Sequence, residues 1–173
     1  QRQMCIRDSN KSSVIVNENT SDSDVMQASI GQGTDSITPL HMNMITCAIA
    51  NDGILMKPYL IDRVENENGS VMKQFTSGAY GKLITEQEAE NLTQLMAEVV
   101  ESGTATKLKG LGYTAAGKTG SAEYNNVKTD SHAWFTGFAP VENPQICVTV
   151  IIEGAGSGGD FAVPIAKRIF NAY

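Results

Sequence analysis

The chain has 173 residues, a formal net charge of -6 and 41% hydrophobic residues, which describes one globular domain, or a large part of one, with a buried core. No apolar run approaches the roughly 18 residues of a membrane span, and the acidic balance argues against nucleic acid or an anionic membrane as the main partner. Three cysteines are too few and too scattered for a disulfide framework or zinc site, and His41 and His132 stand at no ligand spacing from a second His or Cys, so neither a metal nor another cofactor is expected.

Residues 1–10 (QRQMCIRDSN) carry no periodicity and differ in character from the rest of the chain. They are expected to be a non-native leader, with the domain at residues 11–173. Lys11 to Asp24 is polar, with one short β-like run, Ser13-Val14-Ile15-Val16, and an acidic loop holding Asp22 and Asp24.

Thr38-Pro39 opens a helix, with threonine as N-cap and proline in the first turn. Leu40, Met44, Ile45, Ala48 and Ile49 recur at helical spacing until Gly53. Lys57 to Glu65 and Val71 to Phe75 then flank Asn66-Glu67-Asn68-Gly69, the pattern of a hairpin. Thr85-Glu86-Gln87-Glu88 is a capping box ahead of a helix to about Glu101, closed by Ser102-Gly103-Thr104.

Three strand-like runs come next: around Tyr113 to Tyr124, Ser131 to Phe138, and Gln145 to Glu153. The last is apolar on both faces, as a strand covered by helices on both sides would be. A C-terminal helix is expected from about Asp160 to Ala172, with Pro164 in its first turn. Helix, hairpin, helix, three strands and helix make an α+β fold, an antiparallel sheet flanked by helices.

Several motifs have bland readings that outweigh their functional ones. Gly154-Ala155-Gly156-Ser157-Gly158-Gly159 matches G-x-G-x-x-G between a strand and a helix. Only 14 residues remain after it, so the second parallel strand and the ribose-binding acid are missing. A flexible connector is expected there. Ser70-Val71-Met72-Lys73 fits S-x-x-K, but it leaves a hairpin turn, and residues three apart on a strand point to opposite faces about 10 Å apart. Ser21-Asp22-Ser23 lacks the amide of S-x-N. Asp130, Ser131 and His132 cannot form a relay on one strand, because neighbours face opposite ways.

Lys118-Thr119-Gly120, with Ser121 next to it, carries the chemistry. It places a cation and two hydroxyls on a strand whose Gly117 and Gly120 let other groups lie close to the backbone. K-T-G is one of three motifs of penicillin-binding proteins and serine β-lactamases, and here it sits among further landmarks. They are Ala28-Ser29-Ile30-Gly31-Gln32-Gly33, Ile37-Thr38-Pro39-Leu40, Ala48 to Gly53, Val100 to Ala105, Ala133 to Pro140 and Ala162 to Ala166. In this order they resemble the C-terminal part of the transpeptidase domain of class B penicillin-binding proteins, the D,D-transpeptidases that cross-link peptidoglycan.

The resemblance implies a β-lactamase/transpeptidase-like fold, incomplete here because the N-terminal half of the domain is missing. Lys118 would hold the electrostatics of the cleft. Thr119 and Ser121 would bind the terminal carboxylate of a D-Ala-D-Ala stem peptide or of a β-lactam. The N–H of Ser121 would form half of an oxyanion hole. The family's S-x-x-K lies upstream of the Ile30-Gly31-Gln32-Gly33 landmark, and no S-x-N occurs in the chain. The fragment alone is therefore expected to be inactive. A non-catalytic β-lactam sensor or a peptide-binding pseudo-enzyme is the alternative, with a D,D-carboxypeptidase or serine β-lactamase weaker. The family also implies an extracytoplasmic location and partners among cell-wall elongation or division membrane proteins.

Overall fold

A computed structural model describes residues 12–124 and 131–173. Its centre is a three-stranded antiparallel sheet in the order β5-β6-β7, formed by Ala116–Glu123, Ser131–Ala139 and Ile146–Ile152. The pairing is unbroken along both seams, from Ala116 opposite Phe138 to Glu123 opposite Ser131, and from Ala133 opposite Ile152 to Ala139 opposite Ile146.

Strand alternation divides the sheet's side chains between two helical layers. Phe135, Val148 and Val150 point to one face, where Val163, Ala166 and Phe170 of the C-terminal helix α4 (Val163–Ala172) cover them. Phe138 and Ala116 point to the other and meet Met96 of α3 (Glu86–Glu101), with Ile49 and Ala50 of α2 (Pro39–Ala50) beside them. The α+β fold with helices on both faces of an antiparallel sheet is thus the one the element order predicts.

Both capped helices begin where the sequence indicates. The Thr38 hydroxyl accepts from the His41 N–H, and Thr85 and Glu88 form both halves of the capping box. The hairpin is shorter than expected. Its strands are β2 (Arg63–Glu65) and β3 (Val71–Gln74), and the Lys57 N–H is bonded instead to the Gly78 carbonyl. A second ribbon pairs β1 (Ile54–Met56) with β4 (Ala79–Lys82) across the base of this hairpin.

Two further expectations are corrected. The acidic stretch around Asp22 and Asp24 is helix α1 (Asp22–Ser29), not a loop. Ser21 caps it by accepting from the Asp24 N–H, and both acids sit in the first turn, where the helix dipole favours negative charge. Helix α4 starts at Val163, later than Asp160, because the chain first makes a π-helical turn over Gly158–Ala162. The leader expected at residues 1–10 lies outside the described residues.

Candidate active-site strand

Strand β5 carries the K-T-G. One edge pairs with β6, and the other has no strand beside it among the described residues. The free edge is used by Glu123, whose N–H is bonded by the Gln32 side chain, and by Ser121 and Thr119, whose carbonyls accept from Gln32 and Lys118. In an antiparallel pair, N–H and C=O of alternate residues point the same way. The odd-numbered residues of β5 therefore present their backbone groups outward, and the N–H of Ser121 is among them.

Alternation also sorts the side chains. Thr119 and Ser121 project to the α4 side, where the π-helical turn lies. Thr119 Oγ1 is 2.5 Å from Thr104 Oγ1, and the N–H of Gly158 donates to Ser121 Oγ at 3.4 Å. Each contact leaves a proton to offer. Ser121 accepts and keeps its own O–H, while the threonine pair shares one hydrogen bond between two hydroxyls. Lys118 projects to the other side, and its Nζ donates to the Thr119 carbonyl at 2.7 Å on the free edge. The cation and the two hydroxyls thus leave opposite faces of one strand, with Lys118 Nζ brought to its open edge.

The glycine-rich loop is packed against this strand rather than slack. A Cβ on Gly158 would lie 2.2 Å from the Trp134 carbonyl and 2.5 Å from that of Gly120, so only glycine lets the turn approach so closely. Gly156 exchanges hydrogen bonds with Ser131, its N–H to the Ser131 carbonyl at 2.8 Å and its carbonyl from Ser131 Oγ at 3.1 Å. Lys107 Nζ binds Asp160 at 2.6 Å and, with Ser157, holds that carboxyl below its ordinary range. The acid at the turn is already paired, and no second parallel strand stands in this sheet.

Beneath Lys118 runs a row of polar side chains. Lys118 stands opposite Thr136, and Thr136 opposite Thr149. Thr136 Oγ1 lies 2.7 Å from Thr149 Oγ1 and 2.6 Å from Thr46 Oγ1 of α2, and Asn43 Nδ2 donates to Thr149 at 3.2 Å. Thr46 is 1% exposed and also donates to the Met42 carbonyl at 2.9 Å. Every buried hydroxyl in the row has a partner.

The discounted motifs have other occupations. Ser70 Oγ donates to Asn68 Oδ1 at 2.7 Å, and Lys73 lies over the Phe75 ring. His132 Nδ1 accepts from the Gly154 N–H at 3.0 Å while its ring stacks on Tyr124 at 4.4 Å. Asp130 lies outside the described residues. Thr104 and Gln32, both in contact with the candidate strand, were not picked out from sequence. Their only signal was membership of the landmarks Val100 to Ala105 and Ala28 to Gly33. Among the described residues no cluster of three or more His, Cys, Asp or Glu could hold a metal, and no helix is long and apolar enough to cross a membrane.

Comparison with known proteins identifies the family and the fold. A family profile described as "Penicillin binding protein transpeptidase domain" matches residues 2–171. The peptidoglycan D,D-transpeptidase PbpA of Mycolicibacterium smegmatis is 35% identical over 154 residues, which is 84% of this chain and 31% of that protein. The peptidoglycan D,D-transpeptidase MrdA of Haemophilus influenzae is 31% identical over 169 residues, 87% of this chain and 26% of that one. The chain thus spans about a third or less of these curated relatives. Among solved structures, penicillin-binding protein A of M. tuberculosis as a ceftriaxone acyl-enzyme superposes with a TM-score of 0.84 at 30% identity, over 94% of this chain and 38% of that one.

Proposed function

The chain belongs to the family of penicillin-binding protein transpeptidase domains, and from that premise we propose that it supplies the substrate-binding strand of a serine peptidoglycan D,D-transpeptidase. The observation that carries this reading is β5 itself, whose open edge presents the Ser121 N–H and Lys118 Nζ while the hydroxyls of Thr119 and Ser121 stand on its α4 face.

On this reading a stem peptide ending in D-Ala-D-Ala adds as a strand to β5. Its carboxylate takes hydrogen bonds from Thr119 and Ser121. The Ser121 N–H stabilises the oxyanion as a serine attacks the penultimate D-Ala carbonyl, breaking the amide bond and releasing D-Ala. An amine of a neighbouring strand then takes the acyl group. A β-lactam, with its own carboxylate and strained amide, enters the same edge. The only S-x-x-K lies in the β2–β3 hairpin with its serine bonded to Asn68, so the nucleophile comes from polypeptide outside these 173 residues. The 173 residues alone are inactive. By family, the complete protein works at the extracytoplasmic face of the membrane, with elongation or division membrane proteins as partners.

The test is acylation of the complete protein by a fluorescent penicillin. The wild type labels, Lys118→Ala labels about a hundredfold more slowly or worse, the scale of losing one preorganised group, and the 173-residue chain does not label. Equal labelling of wild type and Lys118→Ala would end this assignment. Labelling without turnover of a D-Ala-D-Ala peptide would make the protein a β-lactam sensor, and peptide binding without labelling would make it a pseudo-enzyme.

A further inference from the structure

Gln32 has no part in the chemistry above, yet its side chain meets the candidate strand at two points. Nε2 donates to the Ser121 carbonyl at 3.0 Å, and Oε1 accepts from the Glu123 N–H at 3.2 Å. A carboxamide that donates to one residue of an edge and accepts from the residue two further on does what the peptide group of a neighbouring strand would do. The loop is shaped to deliver it. Gly31 and Gly33, on either side, both take positive φ, 73° and 76°, a conformation that side chains with a Cβ resist.

We infer that Gln32 is a specificity-determining residue that stands in for a strand from the Ser121 carbonyl onward and ends peptide pairing with β5 at the Ser121 N–H. The inference rests on the transpeptidase reading and deepens it. A peptide held by its carboxylate at Thr119 and Ser121, antiparallel to β5, has its C-terminus toward Lys118 and its preceding residues toward Glu123. The Ser121 N–H, which meets the penultimate carbonyl, is the last outward group on that side left to the peptide, because Gln32 holds the Ser121 carbonyl. Because outward groups alternate, the residue two before the penultimate one would need the Glu123 N–H, which Gln32 also holds. The strand therefore takes peptide ends, and the rest of a longer donor must leave the sheet at Gln32. The same side chain covers an edge that would otherwise invite strand pairing with other chains.

The test compares two acyl donors on the complete protein: an N-acylated D-Ala-D-Ala dipeptide and a pentapeptide with the same ending. In Gln32→Ala, kcat/KM for the pentapeptide rises about three- to tenfold relative to the dipeptide, through KM, the scale of one or two neutral hydrogen bonds no longer displaced. Dipeptide kcat/KM rises by less, because only the Ser121 carbonyl, and not the Glu123 N–H, is freed for it. Gln32→Met, which keeps the length but offers neither an acceptor for Glu123 nor a donor for Ser121, moves the same ratio in the same direction. It also supplies the measurement if the alanine variant folds poorly. An equal fall for both donors makes Gln32 a structural tie, and an unchanged ratio removes any role in selection; either overturns the inference. A wild type that fluorescent penicillin does not label overturns the transpeptidase reading itself, and the selection role with it. Labelling with an unchanged ratio overturns only the role of Gln32.

Discussion

Lys118 and Thr136 stand opposite each other across β5 and β6, so the candidate cleft lysine rises from a floor of hydroxyls that α2 ties to the sheet. Thr46 is the buried end of that floor, bonding both Thr136 and the Met42 carbonyl. Thr46→Val keeps the shape and removes the hydroxyl. Thr136 keeps its bond to Thr149, so the loss is partial, about 1–2 kcal/mol. Thermal unfolding should show it as a lower Tm with labelling by penicillin largely retained. An unchanged Tm would mean the hydroxyl contributes nothing net.

Gly158 brings the π-helical turn against β5 and β6. In Gly158→Ala the new methyl would meet two backbone carbonyls, at 2.2 and 2.5 Å, and backbone cannot swing aside as a side chain can. The turn must lift, at a cost of about 1–3 kcal/mol as for overpacking, and Ser121 loses its N–H donor. Gly112→Ala is the control. Its methyl meets nothing within 4 Å at an ordinary φ, so its effect should stay within about 0.5 kcal/mol. Equal Tm values for the two variants would show that the close approach is not needed.

What the sequence made legible was local. The caps at Thr38 and Thr85, the alternation of β6 and the glycine punctuation all act within a few residues, and each placed its element. What it hid was register between distant segments. The bonds Asn43–Thr149, Thr46–Thr136 and Gln32–Ser121 join residues 106, 90 and 89 positions apart, and nothing in either partner's neighbourhood announces the other. Helix α1 escaped because it buries no residue and so leaves no apolar stripe to read. The β1–β4 ribbon escaped because its strands hold three and four residues, too few for alternation to show.

The Thr85–Glu88 box makes a pH prediction. Hydrogen bonds from the Thr85 N–H, then from its hydroxyl, hold the Glu88 carboxyl below its ordinary value. A carboxyl with a lowered folded pKa stabilises the fold above its unfolded pKa, and that contribution is lost as pH falls through the folded value. Between about pH 5 and pH 3, around the ordinary glutamate value, the wild type should lose more Tm than Glu88→Gln does. Parallel curves would show the box to be electrostatically idle.

Cys47 and Cys147 give the last prediction, and it concerns reactivity rather than stability. The Asn43–Thr149 bond sets the register between α2 and β7. Four residues along the helix is about 6 Å, and two back along the strand about 6.8 Å, so both thiols lie on the α2–β7 seam, with Cys47 Sγ 3.6 Å from Asn43 Oδ1. Hydrogen bonding from the Cys147 thiol lowers the pKa of Cys47, whereas that bond, with burial, pushes Cys147 up. The thiolate is the nucleophile, so iodoacetamide near neutral pH should modify Cys47 well before Cys147, as read by peptide mapping. Cys147→Ala removes the donor, and Cys47 should then need a higher pH to react at the same rate. If Cys147 reacts first, or if Cys47 is indifferent to its removal, the two sulfurs do not share a proton across the α2–β7 seam.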